Sequence, residues 1–302
     1  LIQAGRDGHP AGVKTLDVQQ SLARSLILQA RYQEVIVMAQ SIYNQDDPRS
    51  GFLAQFLWGT ALSLEGSDLV EAARHLQRAR QIASDNPPVN QTSLSQILFE
   101  LGGVAAQQGD LPQAIQYYRE SLEAATWDDS ELSVEQVILA NNNLAYHLHL
   151  MNDPSAKGYA ETGLALAREK GFVAEQSYLL STLGEIALAS GDLDEAEKDF
   201  NAGLANAERI AFPERVAGLT ANLGLVARQR GEIPLAIYRL STALGQADAL
   251  GTRHLATQIR IWLAPLLPPA EARTRLAEAR AIAGSSGRKR LLAEIERLEK
   301  KI

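Results

Sequence analysis

Apolar positions along this chain follow helical spacing, and the spacing itself repeats. Residues 102–123 (GGVAAQQGDLPQAIQYYRESLE), 184–205 (GEIALASGDLDEAEKDFNAGLA) and 224–245 (GLVARQRGEIPLAIYRLSTALG) share one frame. Each has a small residue inside a helical pattern, a glycine seven residues later, and then the start of a second amphipathic helix. Apolar residues at three- and four-residue intervals on both sides of a turn signal predict a pair of antiparallel helices.

The frame extends over most of the sequence. Its first small residue stands at Ala23, Gly59, Gly102, Ala145, Gly184, Gly224 and Ala264, at intervals of 36, 43, 43, 39, 40 and 40 residues. A second small residue follows at Ala72, Ala114, Ala156, Ala196, Ala236 and Ala272, with Val35 in the first unit. Four positions later comes a larger apolar residue (Leu76, Tyr118, Phe200, Leu240, Leu276), whereas Ala39 and Ala160 are small. Small side chains on both helices let their axes approach closely. A unit of this size cannot bury its own apolar face and must stack on its neighbours. The expected fold is all-α: one right-handed superhelix, an α-solenoid of about seven antiparallel helix pairs. The units fall near 11–45, 49–85, 89–126, 131–170, 173–210, 213–250 and 252–283, with a capping helix over 287–302.

Turn chemistry follows the same frame. Gly109, Gly191 and Gly231 stand where a helix ends in the left-handed conformation. Asp110 and Asp192 are expected N-caps, with Gln113 and Glu195 three residues on. Pro112, Pro154 and Pro234 are placed in the first turn of the second helix, where a missing N–H is harmless. The fourth unit replaces its turn glycine by MNDPSA, in which Asn152 takes the positive φ. Ser286 is the expected cap of the last helix, and Leu291, Leu292, Ile295, Leu298 and Ile302 form its apolar stripe.

Composition narrows the function. Ala and Leu dominate, and aromatic residues are 6% of the 302, which favours helix over strand. The absence of cysteine excludes disulfides, thiolate metal sites and a cysteine nucleophile. A net charge of −7 argues against a broad nucleic-acid footprint. No apolar run approaches the roughly 20 residues of a membrane span, and with no cysteine to mark an oxidising compartment a reducing cytoplasm is the expected default. The chain opens on Leu1, and a fragment of a larger protein is expected.

Candidate chemistry is sparse. The histidines are His9, His75, His147, His149 and His254; His147 and His149 point to opposite sides of a helix and cannot share a metal ion. The acidic run Asp192, Asp194, Glu195, Glu197 and Asp199 suits a helix N-terminus. Neither a P-loop nor a Gly-x-Ser-x-Gly elbow is present. Arg288, Lys289 and Arg290 read as a solvated helix start. The expectation is a non-enzyme without catalytic residues, metal or cofactor.

The order small, glycine, small, aromatic, small at Gly184, Gly191, Ala196, Phe200 and Gly203 resembles the tetratricopeptide repeat. Its usual period is 34 residues, and here the interval near 40 lengthens both helices. Wording such as LGEIALASGDLDEA is similar to the long-period sensor arrays of bacterial signal-transduction ATPases and transcription activators, the maltotriose-responsive activators among them. The resemblance implies a concave groove lined by the first helix of each unit, with Asn143 and Asn222 two residues before the small anchor. Glu100, Thr182 and Trp262 take that place in other units. Asparagine there can hold a peptide backbone, because its amide both donates and accepts; bracing a neighbouring helix is the alternative use. The expected ligand-binding residues are Asn142, Asn143, Tyr146, His149, Tyr178, Ser181, Glu185, Asn222, Arg228 and Gln229. The implied function is a protein- or peptide-binding scaffold within a bacterial regulator. The alternative is a sensor of a small-molecule effector such as an oligosaccharide. Neither membrane nor direct nucleic-acid contact is expected, and a homo-oligomer is compatible with apolar residues at the array ends, the helix from Ala11 to Gln29 among them.

Overall fold

A computed structural model describes residues 10–29, 31–44, 46–66, 68–86, 91–125, 130–285 and 289–302, without the side chains of residues 10–15, 28, 91, 92, 285 and 289. His9, Ser286 and Arg288 lie outside the described residues. The chain divides into two compact units, Leu1–Asp129 and Ser130–Ile302. Every described element is helical.

The first unit holds three helix pairs: α1 (Pro10–Leu28) with α2 (Tyr32–Ile42), α3 (Pro48–Glu65) with α4 (Leu69–Asp85), and α5 (Gln91–Gln108) with α6 (Leu111–Ala125). The second holds four: α7 (Glu131–Leu150) with α8 (Ala156–Lys170), α9 (Val173–Ser190) with α10 (Leu193–Arg209), α11 (Pro213–Gln229) with α12 (Ile233–Leu250), and α13 (Arg253–Leu263) with α14 (Pro269–Ser285). A short 3₁₀ turn, Ala264–Leu266, ends α13 where Pro265 tightens the chain, and α15 (Lys289–Glu299) closes the unit. Within each unit, every second helix also packs on the first helix of the next pair.

The small anchors act by contact. A Cβ added at Gly184 would lie 2.5 Å from Phe200 Cε1, and one at Gly102 would lie 2.7 Å from Tyr118 Cε1. The same addition at Gly59 meets Leu76 Cγ at 2.7 Å, and at Gly224 meets Leu240 Cγ at 2.9 Å. The facing large side chains are fully buried, so neither surface can retreat. Size is exchanged across the pair: where the first anchor is Ala145 or Ala23, its counterpart is Ala160 or Ala39, all four buried. Phe200 continues into the junction with the next repeat, clustering with Ala196, Ala207, Leu219, Leu223 and Val226.

Gly109, Gly191 and Gly231 take φ of 89°, 85° and 81°, and Asn152 takes 57°, as the turn chemistry predicts. Asp110 and Asp192 accept the backbone N–H of Gln113 and Glu195 at 3.1 and 3.2 Å. Replacing Asp192 by alanine is expected to cost about 1 kcal/mol, read as a lower urea midpoint at unchanged slope. Pro154 departs from expectation, since α8 begins at Ala156. Asp153 accepts from both the backbone N–H and the hydroxyl of Ser155, at 2.9 and 2.6 Å, and this local turn delays the helix by two residues. At the closing end, Leu291 and Ile295 are buried and Leu292, Leu298 and Ile302 pack beside them, against α13 and α14.

Candidate functional site

All ten residues singled out above lie in the second unit, on α7, α9 and α11. These three helices are the first members of successive pairs and pack side by side. The 40-residue repeat therefore places equivalent positions next to one another. Thr182 Oγ1 on α9 donates to Asn142 Oδ1 on α7 at 2.9 Å. One repeat later the same pair of positions is joined again: Asn222 Nδ2 on α11 donates to Ser181 Oγ on α9 at 3.1 Å and to Glu185 Oε1 at 3.3 Å. Ser181 Oγ in turn donates to Glu185 Oε1 at 3.2 Å.

Asn222 and Ser181 are 5% and 2% exposed, which makes this triad a brace between adjacent helices. Burial raises the Glu185 carboxyl above its ordinary range, opposed by the nearby Arg215 charge and by the Ser181 and Asn222 donors. A carboxylate so placed is a hydrogen-bond acceptor held at fixed position, with little freedom of its own.

Asn143 is half-buried; its Oδ1 accepts from Asn142 Nδ2 at 3.5 Å. Its backbone carbonyl accepts from His147 Nδ1 at 2.7 Å, so that imidazole carries its proton on Nδ1. Tyr146 meets the edge of His147 with ring centroids 5.1 Å apart. Burial, reinforced by the Glu185 charge, pushes the Tyr146 hydroxyl up to about 12, and it stays a neutral donor at any physiological pH. His149 is half-buried too, and burial lowers its pKa. On α11, Gln229 is exposed, whereas Arg228 turns toward the next repeat and donates from Nη1 to the Trp262 carbonyl at 3.4 Å.

Arg215 was not among the residues read from the sequence. Seven positions before Asn222, it shares that helix face, and its guanidinium lies 4.4 Å from the Tyr178 ring centroid. Its Nε is buried with no hydrogen-bond partner. Burial lowers the Arg215 pKa, opposed first by Tyr178 and then by Glu185. Tyr178 is fixed on its other side by Phe212, edge to face at 5.9 Å. The i, i+7 relation of Arg215 to Asn222 was the available sequence signal. The face therefore offers amide, hydroxyl, carboxyl and guanidinium groups in one row over three helices. Among the described residues, no cluster of three or more His, Asp or Glu could hold a metal ion, and no helix is long and apolar enough to cross a membrane.

These features define an all-α protein of helical-repeat type, and solved structures share the fold. The Rap conjugation gene regulator of plasmid pLS20, in complex with the Phr* peptide, superposes with a TM-score of 0.66 at 13% identity, covering 95% of this chain and 95% of that one. NprR in complex with its cognate peptide NprX gives 0.64 at 16% identity, covering 94% and 84%. A signal transduction ATPase with numerous domains and a tetratricopeptide repeat sensor, from Pyrococcus horikoshii, gives 0.58 at 15% identity, covering 93% of this chain and 44% of that chain. No protein-family profile and no curated protein sequence matches the chain. The helix-pair repeat read from Gly184 to Gly203 thus builds a fold shared with a protein that carries a tetratricopeptide repeat sensor.

Proposed function

We propose that this chain is a non-catalytic, peptide-binding regulatory scaffold, and that an extended peptide lies across the first helices of the second unit. The observation that carries the reading is the polar row on α7, α9 and α11, repeated at the 40-residue interval by Asn142 with Thr182 and by Ser181 with Asn222. An extended backbone presents donors and acceptors at regular spacing, and a row of amides and hydroxyls answers it. Two proteins of the same fold, the pLS20 regulator and NprR, were solved with peptides, and this supports the choice of ligand class.

In this reading Asn142, Asn143 and Gln229 supply hydrogen bonds to the peptide backbone. Tyr146, His149 and Tyr178 give side-chain surface. Glu185 and Arg228 set charge preference, and Asn222 and Ser181 together hold Glu185 in place. Selection from a randomised peptide library followed by calorimetry tests it. Asn143→Ala and Gln229→Ala are expected to weaken the selected peptide by about tenfold each, the loss of one or two hydrogen bonds. Asn222→Ala is expected to weaken it comparably while also lowering the melting temperature, because it removes the brace. Affinities within about twofold of the parent for all three variants would remove the peptide from this face.

A further inference from the structure

The junction between the α9–α10 and α11–α12 pairs contains a cleft of about 540 Å³, lined by Ala211, Phe212, Pro213, Val216, Ala249 and Leu250, with Glu208 and Gln246 completing it. The repeat itself shows how such a junction is ordinarily filled. Forty residues earlier the corresponding positions of Val216, Gln246 and Ala249 are Gln176, Asn206 and Arg209. There Gln176 Nε2 donates to the Ala167 carbonyl at 3.0 Å, Asn206 Nδ2 to Gln176 Oε1 at 3.5 Å, and Arg209 Nη2 to Asn206 Oδ1 at 3.5 Å. Three polar side chains thus bond in series across that junction.

In the later junction two of the three are cut back to Val216 and Ala249, and the third is left alone. Gln246 Oε1 is buried and has no hydrogen-bond partner. A buried acceptor without a donor is costly, and native proteins keep few of them. A second anomaly lies in the same wall. Gly171 and Gly251 occupy the left-handed turn position of the neighbouring repeats with φ of 79° and 69°, but here the residue is Ala211 at φ 52°. An alanine in that conformation is strained where glycine would not be, and Ala211 is one of the residues that line the cleft.

We propose that this junction binds a small neutral or cationic aromatic molecule carrying one N–H or O–H donor, its ring against Phe212, Pro213, Val216 and Leu250 and its donor on Gln246 Oε1, the Gln246 side chain turning from its buried position into the cleft to meet it. The volume lies within the range of small-molecule sites, which pair an apolar lining with a few fixed polar groups. The Glu208 carboxylate at the cleft disfavours an anionic ligand. The inference is independent of the peptide reading, because neither the cleft nor its lining includes a residue assigned there.

Indole, 1-methylindole and indole-3-acetate are the probes, titrated into the full chain by calorimetry and by chemical-shift perturbation. Indole is expected to bind saturably, and 1-methylindole, which lacks the donor, about tenfold more weakly; indole-3-acetate should be weaker than indole as well. Val216→Gln restores the residue of the earlier repeat, fills the cleft and gives Gln246 a partner. It should abolish indole binding without lowering the melting temperature. Gln246→Leu should bind indole and 1-methylindole alike. The proposal is overturned by the absence of saturable binding at millimolar indole, by equal binding of indole and 1-methylindole to the parent chain, or by indole binding that Val216→Gln leaves unchanged.

Discussion

Phe200→Ala is expected to cost about 3–5 kcal/mol of stability, the range for removing a fully buried ring from a core that cannot collapse onto the gap. Phe200 faces Gly184 within its own helix pair and also enters the junction cluster with Leu219, Leu223 and Val226. Its loss therefore loosens two interfaces at once. The converse change tests the close approach directly. Gly184→Ala gains about 1 kcal/mol of helix propensity yet sets a methyl group 2.5 Å from Phe200 Cε1. Overpacking of that kind costs about 1–3 kcal/mol, so the net change is small or unfavourable. Combining it with Phe200→Leu recreates the Ala264 and Leu276 combination of the last repeat, where both residues share one buried cluster. The double variant is expected to be more stable than the sum of its single changes by about 1 kcal/mol or more. Chemical denaturation of the four proteins measures the coupling, and simple additivity would show that ring and anchor are not in conflict.

Stability is also expected to fall as pH rises from about 4.5 toward 7, because of one acid in the first unit. Burial raises the Glu100 carboxyl to about 7 from an ordinary 4.5, with no charge partner contributing. Below 4.5 the proton is bound in folded and unfolded chains alike, and the group carries no penalty. Between the two values only the unfolded chain ionises freely, so stability is progressively lost, and the loss is complete above the folded value. The difference corresponds to an effect on the order of 3 kcal/mol at pH 8. Glu100→Gln is expected to be more stable than the parent at pH 8 and to show a flatter profile between pH 4.5 and 7. Parallel melting curves at pH 4.5 and pH 8 measure it. Identical profiles for the two proteins would mean that Glu100 remains solvated.

The helix pairs were legible in the sequence because packing forces the signal to be local. A ring at position 200 requires a residue without Cβ at 184, and a left-handed turn favours glycine at 191, so both constraints appear as letters. Pro154 departs from the frame because an Asx turn, the Ser155 N–H on Asp153, competes with helix initiation. The candidate face was legible in position but not in state. The two uses weighed for Asn222 differ only in what stands one repeat away, and Ser181 and Glu185 are that partner. Arg215 is hidden for a related reason: an arginine near a helix start reads as solvated, and the ring its guanidinium covers, Tyr178, stands on α9. The lone amide of Gln246 was equally hidden, because it becomes unusual only when Val216 is compared with Gln176 across the junction.

The most direct measurement of the binding account is photo-crosslinking from defined positions. A benzoylphenylalanine placed singly at His149, Tyr178 or Gln229 is set against one at Tyr238, which is 69% exposed on the second helix α12. With the tightest peptide from a randomised library, crosslinks are expected from positions on the first helices and none from position 238. A peptide captured from position 238, with positions 149, 178 and 229 silent, would contradict the assignment of binding to the first-helix face.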